Sequence, residues 1–175
     1  SCDGLDGQHD GLIDDPRRCD WKPALLQCKE SATADCLTAQ EVGVLDHWYM
    51  PATSGDGRIQ YPGGVPKGSE PYWPVWLSGI AGSETPALAE RFGTDFLRYM
   101  AFVPDAGVDF DVRKYDFDRD PPRLATMARM YDATNPDLTA FRERGGKLLL
   151  FHGWADPLVT PQRTLEYFDA VRARM

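Results

Sequence analysis

Beyond Cys36 the chain has no cysteine, although four (Cys2, Cys19, Cys28 and Cys36) crowd its first fifth. It has no apolar run near the ~18 residues that a membrane-spanning helix needs, which excludes such a helix. Cations are short as well: 19 Lys and Arg face 27 Asp and Glu, a net charge of −8. Nucleic-acid backbones and anionic membrane surfaces both select clustered Lys and Arg, so neither is expected as the main partner. None of the six serines (1, 31, 54, 69, 78 and 83) stands in a Gly-x-Ser-x-Gly frame, a common setting of a nucleophilic serine. No Cys-x-x-Cys pair suggests a zinc hairpin, and no repeat or low-complexity run occurs. The start, Ser1-Cys2-Asp3, has neither Met nor a basic-then-apolar leader, so a processed product or an excised piece is expected. The 175 residues are room for about one domain.

An even, clustered set of cysteines reads as two disulfides and an oxidising compartment. Three pairings are open, of which neighbour pairing closes two short loops; four unpaired thiols are the plainer alternative. The same segment places Asp at 3, 6, 10, 14 and 15 with Gly at 4, 7 and 11. Carboxylates packed this closely repel unless a cation neutralises them, and the glycines let the backbone curl so that carbonyls can join the cage. Calcium takes six to eight such oxygens. The pattern is not an EF-hand, and a solvated acidic turn is the alternative.

Further on, Thr38-Ala39-Gln40-Glu41 is a capping-box pattern opening a helix with Val42, Leu45, Trp48 and Tyr49 at helical spacing. Five prolines and seven glycines in residues 51–84 predict a wandering loop region, with a tight turn at Ser54-Gly55-Asp56-Gly57. Leu88, Phe92, Phe96, Tyr99 and Met100 predict an amphipathic helix within 86–102. Asn135-Pro136-Asp137 predicts a helix start, closed by Gly145-Gly146. The apolar run Leu148–Phe151 predicts a strand buried on both faces, and Pro161 opens a last helix. This order is an α/β unit of a parallel sheet, where chemistry collects at the C-terminal ends of strands. His152 and Asp156 fall there. Asp156 before Pro157 suits the orienting acid of a Ser-His-Asp triad or, more plainly, a turn cap; His152 is a pocket residue or a structural histidine.

The run Cys2-Asp-Gly-Leu-Asp-Gly-Gln-His-Asp-Gly-Leu-Ile-Asp-Asp-Pro16 resembles the lid-domain calcium loop of the tannase/feruloyl esterase family. Gly145-Gly-Lys-Leu-Leu-Leu-Phe-His-Gly-Trp-Ala-Asp-Pro157 is similar to that family's acid-bearing segment. Between them, Tyr61-Pro62-Gly63, Gly68-Ser69-Glu70 and Ala133-Thr134-Asn135-Pro136-Asp137-Leu138 look like further landmarks in the right order. The resemblance implies a fold class of α/β with a loop-rich, mostly α-helical lid over residues 1–134. Residues 135–175 would then be a helix–strand–helix piece of the α/β-hydrolase sheet. It implies a secreted or periplasmic serine esterase acting on small aromatic acid esters such as feruloyl or galloyl esters. It implies disulfides Cys2–Cys19 and Cys28–Cys36, and a structural Ca2+ held by Asp3, Asp6 and Asp10 with the carbonyls of Gln8 and Leu12. Asp156 would be the triad acid, His152 would line the pocket, and Arg98 and Phe102, four apart on the lid helix, would clamp substrate. The family's nucleophile lies in a Cys-Ser-x-Gly-Gly segment and its catalytic His precedes a Cys. Neither motif occurs in these 175 residues, so the chain alone is expected to be inactive and to need the remainder of the hydrolase domain as partner. A non-catalytic, calcium-stabilised extracellular binding module is the other function these residues allow.

Overall fold

A computed structural model describes residues 2–30 and 35–175. Helix α1 (Ala39–Tyr49) begins where the capping box places it: the Thr38 hydroxyl accepts the Glu41 amide at 3.2 Å, and Glu41 accepts the Thr38 amide at 2.7 Å. Two otherwise orphan donors are thereby satisfied. The helix turns Val42 inward and lays Trp48 and Tyr49 on Trp73, with ring centroids 5.1 and 5.6 Å away. Trp73 opens α2 (Trp73–Trp76) and donates its indole N–H to the fully buried Ser69. The Tyr49 hydroxyl donates to Glu70 at 2.7 Å, and burial, then the neighbouring carboxylate, pushes its pKa up.

This aromatic core admits no side chain at Gly64. A Cβ there would lie 2.1 Å from the Tyr49 carbonyl carbon, while the next residue, Val65, donates its amide to Trp48 at 2.8 Å. The expected turn at 54–57 closes an antiparallel pair, β1 (Ala52–Thr53) and β2 (Ile59–Tyr61). Ser54 and Arg58 close that turn through their backbones, and Asp56 accepts the Ser54 hydroxyl.

Helix α3 (Leu88–Tyr99) forms as its periodicity predicts, but its apolar face stays open: Phe92, Phe96 and Tyr99 are all exposed. A short α4 (Ala125–Tyr131) follows. Helix α5 (Thr139–Glu143) begins four residues later than Asn135. Asn135 and Asp137 spend their side chains on the amides two residues ahead, both at 3.0 Å, and these local turns hold 135–138 out of the helix. Gly145 ends it with φ +77°, and Gly146 leaves room for the Phe141 ring. Helix α6 (Pro161–Arg174) starts at Pro161 as expected.

The strand expected at 148–151 requires correction. These residues are not hydrogen-bonded into a sheet, and Leu149 and Phe151 are 86% and 91% exposed. A strand exists by pairing, and among the described residues the one sheet is the β1–β2 pair. Leu148, Leu150 and Phe151 instead border an apolar groove of about 560 Å³ against Leu165 and Phe168 of α6. No described helix is long and apolar enough to cross a membrane.

Candidate active site

The loop after residue 151 is built around one carboxylate and one imidazole. Gly153 accepts the Asp156 amide, closing a turn, and Pro157 behind it is buried. Asp156 Oδ1 accepts the amides of Leu158 at 2.9 Å and Val159 at 3.0 Å. Asp156 Oδ2 lies 3.5 Å from His152 Nε2. That nitrogen is 2.8 Å from the Val159 carbonyl, and Nδ1 is 2.7 Å from the Thr164 hydroxyl of α6. A carbonyl only accepts, so the network assigns the His152 proton to Nε2, and Nδ1 accepts from Thr164. Both ring nitrogens are thus engaged, which makes His152 a wall and brace of the loop and removes it as a free base. Asp156 thus keeps one oxygen fixed by two amides and the other beside the imidazole. Its side chain is 39% exposed in this chain.

Arg98 and Phe102 do not share a helix face as expected. Helix α3 ends at Tyr99, so the four-residue spacing no longer aligns them. Phe102 is buried, with the Arg123 guanidinium 4.4 Å over its ring and Phe110 at 5.6 Å, and it presents no open face. Arg98, half-buried, donates Nε–H to the Phe110 carbonyl at 3.1 Å, so the two residues meet through Phe110. Sequence reasoning passed over the residue that organises this region. Asp120 is 0% exposed; it accepts from Arg119 at 3.0 and 3.1 Å, Arg123 at 2.8 Å and the Asp116 amide at 2.9 Å. Arg119, then the Asp116 amide and Arg123, hold its carboxyl far below the usual range. The i,i+3 spacing of Asp120 and Arg123 is the one sequence signal of this cluster.

At the other end, disulfides join Cys2 to Cys19 and Cys28 to Cys36. Within the first, Asp3 Oδ1 accepts the amides of Gly11 at 2.8 Å and Asp10 at 3.2 Å, folding the loop onto itself. The Gly11 amide chiefly, with Asp10 and His9, holds the Asp3 carboxyl below its ordinary value. Asp6 accepts the Gln8 amide and Asp10 the Leu12 amide, at 2.8 and 3.0 Å. The donor set, carboxylate and carbonyl oxygen throughout, has the chemistry of a calcium cage. The carboxylates, however, serve different amides, and no group of three acidic, His or Cys side chains among the described residues is gathered for a metal.

The known proteins that this chain is similar to are esterases. The chain superposes on the crystal structure of feruloyl esterase B from Aspergillus oryzae with a TM-score of 0.76 at 27% identity, covering 98% of this chain and 33% of that one. In sequence it is 33% identical over 190 residues to an uncharacterized esterase of Xanthomonas campestris pv. campestris, covering 99% of this chain and 31% of the relative. It is 29% identical over 217 residues to the mono(2-hydroxyethyl) terephthalate hydrolase of Piscinibacter sakaiensis, covering 100% of this chain and 35% of that protein. Residues 1–175 match the tannase and feruloyl esterase family, and the chain belongs to it. It spans about a third of the length of the relatives it matches.

Proposed function

We propose that this chain is the lid and acid-bearing part of a serine carboxylic ester hydrolase that cleaves small aromatic acid esters through an acyl-enzyme. The observation that carries this reading is Asp156, with Oδ1 held by two backbone amides and Oδ2 beside a saturated imidazole. Asp156 is the orienting acid and His152 lines the pocket. Arg98 meets the substrate's polar end, and Phe102 backs that site from beneath. The run at 148–151, unpaired in this chain, gains sheet partners only from the remainder of the hydrolase domain; the exposure of Leu149 and Phe151 supports this.

The lid loop holds a structural Ca2+ through Asp3, Asp6 and Asp10 with the carbonyls of Gln8 and Leu12. Its oxygen-only donors and the disulfide that returns its ends support this reading. Two disulfides support a secreted or periplasmic location. Methyl ferulate hydrolysis tests the whole. The full reading frame containing this chain should turn it over, and the 175-residue chain alone should do so no faster than buffer. A full reading frame that binds aromatic esters without cleaving them would make the chain a binding module.

A further inference from the structure

The pattern Asp-x-Arg occurs three times, at Asp15-Pro16-Arg17, Asp56-Gly57-Arg58 and Asp111-Val112-Arg113. In each, the aspartate accepts the arginine's own backbone N–H at 3.1 Å. The carboxylate also faces the guanidinium, at 2.7, 3.8 and 2.9 Å respectively. The backbone turn is the same in all three, and Asp15 and Asp111 also hydrogen-bond their guanidinium groups through both oxygens, yet the surroundings differ. The Arg17 guanidinium lies 4.7 Å over the centre of the Trp154 ring, whereas among the described residues neither Arg58 nor Arg113 covers an aromatic ring.

Both ends of that contact are anchored. Arg17 follows the buried Pro16 and stands two residues before Cys19, which is bonded to Cys2 and whose carbonyl accepts from Lys67. Asp15 grips the guanidinium with both oxygens, at 2.7 and 2.8 Å, fixing its plane. Trp154 sits inside the turn that Gly153 and Asp156 close, two residues from His152 and two from Asp156.

We propose that Arg17 is a positioning residue for the acid loop: held by Asp15 and the Cys2–Cys19 ring, it clamps Trp154 and so fixes the turn that aims Asp156. The proposal rests on the reading of Asp156 as the esterase acid. The amides of Leu158 and Val159, which donate to Asp156 Oδ1, report the carboxylate's placement directly through hydrogen exchange. In the 175-residue chain, Arg17→Met should speed their exchange about threefold, the loss of one exposed cation–π contact. Arg17→Lys, which keeps a cation over the ring, should restore most of the protection, and Arg113→Met should leave it unchanged.

Trp154→Leu should reproduce Arg17→Met, and the double variant should lose no more than either single variant. Unchanged exchange in Arg17→Met, equal loss in Arg113→Met, or additive losses in the double variant would overturn the proposal. Exchange is read without any ester, so this result is separate from the fate of the hydrolase reading, which rests on the kinetics of Asp156.

Discussion

Replacing Asp120 by asparagine keeps its shape and removes the charge that two guanidinium groups and one amide converge on. The carboxylate is fully buried, but Arg119 and Arg123 are 65% and 50% exposed, so water screens much of each ion pair. Charge-assisted hydrogen bonds contribute about 1.5–3 kcal/mol each when sheltered; discounted for that exposure, the cluster stabilises the fold by about 2–3 kcal/mol. For a chain of this size that predicts a Tm lower by about 4–12 °C at pH 7. The sign of the pH effect follows from the carboxyl being held below its unfolded value. Its stabilisation is complete above the unfolded pKa of about 4 and is lost as pH falls toward the folded one. At pH 3 the gap between wild type and Asp120→Asn should therefore shrink by about 1 kcal/mol. Thermal melts by circular dichroism at the two pH values decide it. Equal Tm at pH 7, or a gap that widens on acidification, would mean that the Asp120 charge does not stabilise the fold.

Gly64→Ala should cost more than about 3 kcal/mol, seen in urea melts, because its Cβ would meet the Tyr49 carbonyl carbon at 2.1 Å, where backbone must move. Replacing Cys2 and Cys19 together by serine should cost about 3 kcal/mol, as their bridge closes a separation of 17 residues; an unchanged Tm would show that the unfolded loop is not constrained by it. Calcium at 100 times its Kd should raise stability by about 2.7 kcal/mol, EDTA should reverse it, and Asp6→Asn should blunt it. Melting indifferent to both would leave the 2–19 loop an acidic turn.

What was legible in the sequence was local. The Thr38–Glu41 capping box, the turn at 54–57 and the Pro161 helix start depend on neighbours within four residues, and each stands where its pattern places it. Asn135-Pro136-Asp137 misled because the same side chains that cap helices also close turns on the second amide ahead; here both did the latter. The apolar run at 148–151 has the composition of a buried strand, but strand character lies in partners the pattern does not contain. Phe102 fell off the helix because α3 stops at Tyr99, and Val103 precedes a proline, which disfavours helical backbone. Around the acid, positions 152 and 156 were readable, yet their chemistry was not: His152 is saturated by Thr164, twelve residues on, through the docking of α6. Asp120 was hidden among the six aspartates of residues 105–120, since burial of one carboxylate among many is decided by the fold and not by composition.

Whether Asp156 orients the base of an ester hydrolase is decided by steady-state kinetics of Asp156→Asn in the full reading frame with methyl ferulate. The kcat should fall by on the order of 10⁴ with KM nearly unchanged, since asparagine keeps the shape and loses the charge that steadies an imidazolium. A kcat within a few-fold of the wild type would contradict it and leave Asp156 a cap on the amides of Leu158 and Val159.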